Sequence, residues 1–464
     1  MTIRKMPHTV ACSVIALLFV LMMLLYPTSG IAQQGFDAVY NSSGTSIPSA
    51  AYVDATQFLG TDLCSTIYNV LNVTTTFIPG EVIDARGVIA AGASPVCAHT
   101  PWNNGTTYLS TKASTILLPA GTITIPSSWI IPNNTRVIGI EPGSYHTTPA
   151  TGTMIQACLS SITGCHGLNF ASGTAMLQFG DSNCPQTGTD CTGISVEGVV
   201  LNGNGLNIIG IQNSNAQDLS FVDHVTLYKI FGTGLMVSGN AQHSGPYSNV
   251  VFDTGTSSAA PTACAQIEGI TGGTRGIHGL TCISSTVGQT AVFLDSSNNS
   301  LEDIRINGFV DGILVGSNGV AKSNVLINIT GDTVPWNQLV QMPIYIVHIS
   351  NAQTSGQANV SDLAVVGVSN AGGTNTATVL DDLTSTMFGD QVALYVLGES
   401  ANGGYSRFTT SHNAATWAVG ANAPTPSSPC PIGSLYTMTG ILNGISGHLY
   451  VCTKGSTPTW QLVQ

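Results

Sequence analysis

Charge is what this sequence has least of: Asp, Glu, Lys and Arg together make up 7% of its 464 residues, against roughly a quarter in an ordinary soluble domain. Helix bundles and coiled coils, which need Glu and Lys to solvate their outer faces, are excluded on that ground. Disorder driven by high charge and low hydrophobicity is excluded as well, because apolar residues account for 43% of the chain and can bury a large core. Cations are the scarcer sign, eleven Lys and Arg against twenty-three Asp and Glu, for a net charge of -12. With no basic stripe, binding to nucleic acid or to an anionic membrane by counterion release is not expected. A polyanionic partner would be repelled too, unless a divalent cation or a local basic spot mediates the contact. In place of charge the chain carries 52 glycines with abundant Ser, Thr and Asn. This is the composition of an extracellular all-β protein rich in turns.

Residues 1–32 read as a secretory signal: Arg4 and Lys5, an uncharged run from Val10 to Tyr26 rich in Leu and Met, then Gly30-Ile31-Ala32 with small residues at the -3 and -1 positions. Cleavage after Ala32 leaves no membrane contact. An uncleaved anchor is the alternative, because the run approaches the lower length limit of a spanning helix. Of the eleven cysteines, Cys12 lies in this segment and ten lie beyond it. An even number fits an oxidising compartment, secreted or at the cell surface, extracellular or periplasmic. Their clustering suggests sequential pairing: Cys64 with Cys97, Cys158 with Cys165, Cys184 with Cys191, Cys264 with Cys282, and Cys430 with Cys452. A metal site is the weaker alternative, since no C-x-x-C pair appears.

From residue 194 onward a short motif recurs: an apolar residue, two turn formers, then apolar, any, apolar. Its instances are Val196-Glu-Gly-Val-Val-Leu201, Val222-Asp-His-Val-Thr-Leu227, Tyr247-Ser-Asn-Val-Val-Phe252, Ile277-His-Gly-Leu-Thr-Cys282, Leu301-Glu-Asp-Ile-Arg-Ile306, Lys322-Ser-Asn-Val-Leu-Ile327 and Val360-Ser-Asp-Leu-Ala-Val365. The residue before the second apolar position is Gly198, His224, Asn249, Gly279, Asp303, Asn324 or Asp362. These types tolerate or favour left-handed backbone, so each repeat is expected to bend there. A second alternating strand follows: Ile209-Gly-Ile211, Leu235-Met-Val237, Ala265-Gln-Ile267, Val292-Phe-Leu294 and Ile313-Leu-Val315. Each repeat thus supplies three short strands and no helix. Stacked at about 4.8 Å per rung, such strands make a parallel β-helix around a column of Val, Ile and Leu.

A solenoid needs covered ends. Leu63, Ile67, Val70 and Leu71 recur at helical spacing after Thr61-Asp62 and predict an N-terminal capping helix. The expected organisation is an arm and cap over 33–110, the solenoid over 111–420, an extended Pro-rich linker over 421–429, and a small module over 430–464. Cys430, Tyr436, Tyr450, Cys452 and Trp460 mark that module as a disulfide-stapled β unit. Its aromatics would either contact sugar rings or pack its core.

Asp84-Ala-Arg-Gly87, Leu118-Pro-Ala-Gly-Thr122 and Ile131-Pro-Asn-Asn-Thr-Arg-Val-Ile-Gly139 resemble the opening of the pectate-lyase-like right-handed parallel β-helix superfamily, in the branch of rhamnogalacturonase- and epimerase-like proteins and phage tailspikes. The resemblance covers residues 60–400. It implies a right-handed coil and a carbohydrate partner, and is poor for activity because that superfamily spans lyases, hydrolases, epimerases and noncatalytic surface proteins. The Asn-Thr-Asp, Gly-Asp-Asp and Gly-His-Gly series of polygalacturonases and the Arg-x-Pro-x-x-Arg of classical pectate lyases are missing. Val222-Asp223-His224 is similar to the Ile-Asp-His of those lyases, yet it occupies the turn motif of every repeat.

Aligning the second strands puts Gln212, Ser238, Glu268, Asp295 and Gly316 in one outward column, with Glu268 and Asp295 on neighbouring rungs. Two carboxylates at strand spacing raise one another's proton affinity, which suits an acid and a base or nucleophile. They would equally hold Ca²⁺, bridging to an acidic sugar, or be solvated strand ends. Asp253, outward at its strand end, is a third candidate. A second column in the turns contains Glu197, Asp223, Ser248, His278 and Glu302. Arg275 and His278 stand out because cations are rare; β-elimination from a uronate needs a base and a positive charge near the carboxylate. A salt bridge from Arg275 to a neighbouring rung is the alternative. The expected function is a lyase or glycoside hydrolase acting on acidic, pectin-like polysaccharide, the other reading being a noncatalytic adhesion protein that binds glycans.

Overall fold

The computed structural model describes residues 52–370 except 74–79, 110–111, 142–151, 166, 182–190, 257–258, 271, 332–344, 351–352, 355–356 and 362, and beyond them 377–381, 395–397, 417–420, 422–425, 435–442, 445–453 and 459–463. The expected signal segment, Cys184, Cys430 and Asp362 lie outside these residues.

Strands dominate, and they pair in three parallel ladders, each strand bonded to its counterpart one repeat later. Every ladder carries an inward column. In the first, Ile83, Ile116, Val137, Val196, Val222, Tyr247, Ile277, Leu301, Leu326 and Val365 follow one another in register. In the second the column runs Ile123, Ile155, Leu201, Leu227, Phe252, Cys282, Ile306. The third runs Trp129, Leu177, Ile211, Leu235, Ala265, Val292, Ile313, Val347. All three columns are buried in one hydrophobic cluster. At about 25 cal/mol per Å² of buried apolar surface, that shared core is the main stabilising term.

The bends fall where the residue types predict, with one displacement. Gly198, His224, Asn249, Gly279 and Asp303 all have positive φ, between 51° and 68°. The next members of that column are Asn328 and Gly367, not Asn324 and Asp362, because Leu301 pairs with Leu326 and Ile329 with Val368. The displacement follows from a second left-handed column: Gly193, Leu219, His243, Gly273, Asn298 and Ser323 precede the first members by five or six residues. Lys322-Ser-Asn-Val325 matches the motif but sits at this other corner.

Asn324 instead faces inward and is fully buried. Its Oδ1 accepts the Asn299 N–H at 2.9 Å and Asn299 Nδ2 at 3.1 Å, while its Nδ2 donates to the Ser296 carbonyl at 2.8 Å. Asn299 Oδ1 in turn accepts the Thr274 N–H at 2.9 Å. A polar ladder thus satisfies corner amides that no strand can pair, the condition for burying them at all.

The expected cap is present as the helix Leu63–Asn72, opened by a capping box in which Asp62 accepts the Ser65 N–H and Ser65 Oγ accepts the Asp62 N–H. The pairs Cys64–Cys97, Cys158–Cys165 and Cys264–Cys282 are bonded, and Cys191 and Cys452 are each in a disulfide. Cys264 and Cys282 are fully buried, tying a third-ladder strand to the second-ladder strand of the next repeat. Towards the C-terminus, Trp417–Gly420 pairs in parallel with Leu435–Leu442, followed by antiparallel Ile445–Thr453 and Thr459–Val463. The ring of Tyr436 lies 6.2 Å from that of Tyr450 and 5.7 Å from that of Trp460, and Tyr436 and Tyr450 are buried. These aromatics pack against one another. Among the described residues no helix is long and apolar enough to cross a membrane.

Two substitutions test this packing. Val225 is buried and in register with Val199 and Val250, so Val225→Asp is expected to bury an unpaired carboxylate at a cost of several kcal/mol and abolish soluble expression. Asn324→Ala strips two hydrogen bonds from Asn299 and is expected to lower stability by about 1–3 kcal/mol in urea unfolding; a change within error would show that the polar ladder contributes nothing.

Candidate functional site

The third ladder carries the groups of interest. Leu235, Ala265 and Val292 stack inward, as do Val237, Ile267 and Leu294. Alternation therefore turns two columns the other way, Met236, Gln266, Phe293 and then Ser238, Glu268, Asp295. The pairing of Ser238 with Glu268 and of Glu268 with Asp295 is the one expected.

Gln212 departs from it. It pairs with Met236, two residues out of the expected register, and Ser214 takes the place beside Ser238, with their hydroxyls 2.8 Å apart. The reason lies at Asn213, a polar residue facing inward. Its Nδ2 donates to the Tyr247 hydroxyl at 2.9 Å and to the Ala216 carbonyl at 2.8 Å. Ser244 also meets the Tyr247 hydroxyl, at 2.8 Å, and burial pushes that phenol up to about 12. An alignment of apolar residues alone passes over Asn213.

Glu268 and Asp295 are unlike one another. Glu268 is half-buried, and desolvation, followed by the charge of Asp295, raises its carboxyl above the usual carboxylate range. Asp295, expected outward and solvated, is only 2% exposed. Ser317 Oγ donates to one of its oxygens at 2.9 Å and the Asn318 N–H to the other at 3.1 Å. The following turn lies over it so closely that a Cβ on Gly319 would meet Asp295 Cβ at 3.2 Å.

The other candidates stand elsewhere. Asp253, expected outward, is buried on the second ladder between Tyr228 and Ile283, where it accepts the Gly255 N–H at 2.7 Å and holds that turn. Arg275 pairs with Asp218 at 3.3 Å, both half-exposed. His278 lies 3.4 Å from Glu302, its register mate on the first ladder. The turn column Glu197, Asp223, Ser248, His278, Glu302 forms as expected. Its charges are matched locally: Arg136 binds Glu197 at 2.8 Å, and Asp223 takes His224 at 2.7 Å and Asn249 Nδ2 at 2.9 Å. Asp62, Cys64 and Cys97 cluster as a metal site would, but both sulfurs are in a disulfide and Asp62 caps the helix.

One pair was not anticipated. His348 Nδ1 lies 3.2 Å from Asp311 on the outward side of the third ladder, beside the ring of Tyr345 at 5.6 Å. His348 continues the column of Phe293 and Leu314. The available signal was a polar His348 set among apolar residues in Tyr345-Ile-Val-His-Ile349.

No protein-family model matches the chain and no curated protein matches it in sequence. Solved structures similar to it include two viral proteins. ORF18 of Geobacillus virus E2 is 10% identical with a TM-score of 0.35, over 89% of this chain and 76% of its own. Tailspike protein 3 of bacteriophage CBA120 is 12% identical with a TM-score of 0.23, over 96% of this chain and 76% of its own.

The raised proton affinity of Glu268 has a thermodynamic signature. A carboxyl whose folded-state pKa lies above its unfolded value stabilises the fold below the unfolded pKa and loses that contribution as pH rises through the folded one. Glu268→Gln is therefore expected to melt above the wild type at neutral pH and to converge with it at acidic pH. A wild-type advantage at neutral pH would contradict the assignment.

Proposed function

We propose that the three ladders close into a right-handed parallel β-helix of the pectate-lyase-like kind, exported and processed after Ala32, and that the protein acts on polysaccharide along the outward side of its third ladder. The chemistry that its groups support best is glycoside hydrolysis, with Glu268 as general acid. One observation carries this reading: Glu268 is half-buried in register with Asp295, and burial first, then the neighbouring charge, raises its affinity for a proton. A carboxyl with raised proton affinity can donate its proton to a glycosidic oxygen as the bond breaks, a contribution of about 10²–10⁴ in rate. Asp295 then serves as a positioning residue, acting through Glu268 from beneath the 316–319 turn. Water then adds to the sugar carbon that the leaving oxygen frees and gives up a proton to the Glu268 carboxylate, which restores the acid.

A lyase is less well supported. Arg275 and His278, the cation and base such a reaction would use, are committed to Asp218 and Glu302. Calcium is a poor fit on donor number, because it takes six to eight oxygens and both Asp295 oxygens already accept hydrogen bonds. The burial of Asp295 favours a second reading, a noncatalytic glycan-binding surface protein with one accessible carboxyl.

Incubation with a panel of polysaccharides, read by reducing-end and unsaturated-product assays, separates these. The hydrolase reading expects new reducing ends without unsaturation, and a loss of at least about a hundredfold in Glu268→Gln. Full turnover in that variant would remove Glu268 from the chemistry; binding without any product would establish the noncatalytic reading.

A further inference from the structure

The charge on the third ladder's outward side narrows the ligand beyond "polysaccharide". This step rests on the reading of that side as the glycan-binding face. No Lys or Arg occurs on its strands Ile209–Asn213, Thr233–Ser238, Ala263–Glu268 and Tyr345–Ile349, nor at 290–295 or 311–315. The cations with described partners are spent elsewhere, Arg86 on Asp84, Arg136 on Glu197, Arg275 on Asp218, and Lys229 over the Tyr228 ring. Arg305 stands on the second ladder between Thr281 and Thr330. His348, the imidazole on this side, already faces Asp311. Against this deficit stand Glu268 and Asp295, so a uronate, sulfate or phosphate laid along these strands would meet like charge with no Lys or Arg on them to offset it.

What the side does offer is uncharged. Gln212 and Gln266 present amides that both donate and accept, and Ser214 and Ser238 present hydroxyls. All four are half-buried, and Gln266 Oε1 is held by Thr233 Oγ1 at 2.8 Å, which fixes its orientation. Met236 and Phe293 lie in the same column as Gln266, one coil before and one after it. Half-exposed apolar groups interleaved with amides suit the two faces of a sugar ring, C–H on one and hydroxyl on its rim.

We infer that the ligand of this face is an uncharged glycan chain, recognised by Gln266 and Phe293, and not the acidic polymer that the sequence alone suggests. The test uses the full mature chain with oligomers of galacturonate and their carboxyl-reduced counterparts, which share one backbone and differ in charge, together with a panel of neutral glycans. Calorimetry at low salt is expected to show a neutral chain bound at least about tenfold more tightly than any acidic one, with the gap narrowing as salt screens the repulsion. Phe293→Ala and Gln266→Ala should each weaken neutral binding about fivefold or more without moving the melting temperature.

Tighter binding of the acidic oligomers, with or without added Ca²⁺, would overturn the inference while leaving the face intact. So would neutral binding indifferent to both substitutions. If chains of neither kind bind, the reading of the face itself falls, and this inference with it.

Discussion

The hydrogen-bonded register between one repeat and the next is the constraint on which everything else in this protein depends. A strand in any of the three ladders finds its backbone partners in the preceding and following repeats, so every repeat must offer the same inward residues at the same places. Ile83 to Val365 in the first ladder shows how far that demand extends. It also accounts for the missing charge. Backbone groups are satisfied by stacking, and a side presenting Gln, Ser, Thr and Asn is wetted without Glu and Lys.

Much of the fold is legible because the constraint writes itself into residue types. A tight corner needs positive φ, which Gly, Asn, Asp and His tolerate, and five consecutive corners from Gly198 to Asp303 are where those types predict. Two things are hidden. Each repeat has a second left-handed corner, and a motif such as Lys322-Ser-Asn-Val325 cannot say which of the two it marks. Polar residues also face inward where a corner leaves amides unpaired, as at Asn213, Asn299 and Asn324. Any alignment built on apolar residues slips by a few positions at such points, as it does at Gln212.

The candidate site was legible to the same extent and for the same reason. Strand alternation put Glu268 beside Asp295, and the register agrees. Burial was beyond its reach, because what covers Asp295 is the backbone of a later turn, through Ser317 and Asn318. The roles of Arg275 and His278 were equally open, since a cation in a cation-poor chain reads as functional until its partner is seen. Both are matched outside the third ladder, whose described strands carry no Lys or Arg, and the scarcity of cations in the sequence becomes a property of that surface.

The register is also what a single measurement can test. Ser214 and Ser238 hydroxyls stand 2.8 Å apart on successive repeats, whereas Gln212 lies beside Met236. Cysteines at registered outward positions are within the Cα separation a disulfide requires, about 4.4–6.8 Å. In folded protein, the double variant Ser214→Cys, Ser238→Cys is expected to oxidise to a cross-link in high yield, and Gln212→Cys, Ser238→Cys to leave both thiols free. Cross-linking of the second pair in preference to the first would place the third ladder out of register and separate the groups assembled on it.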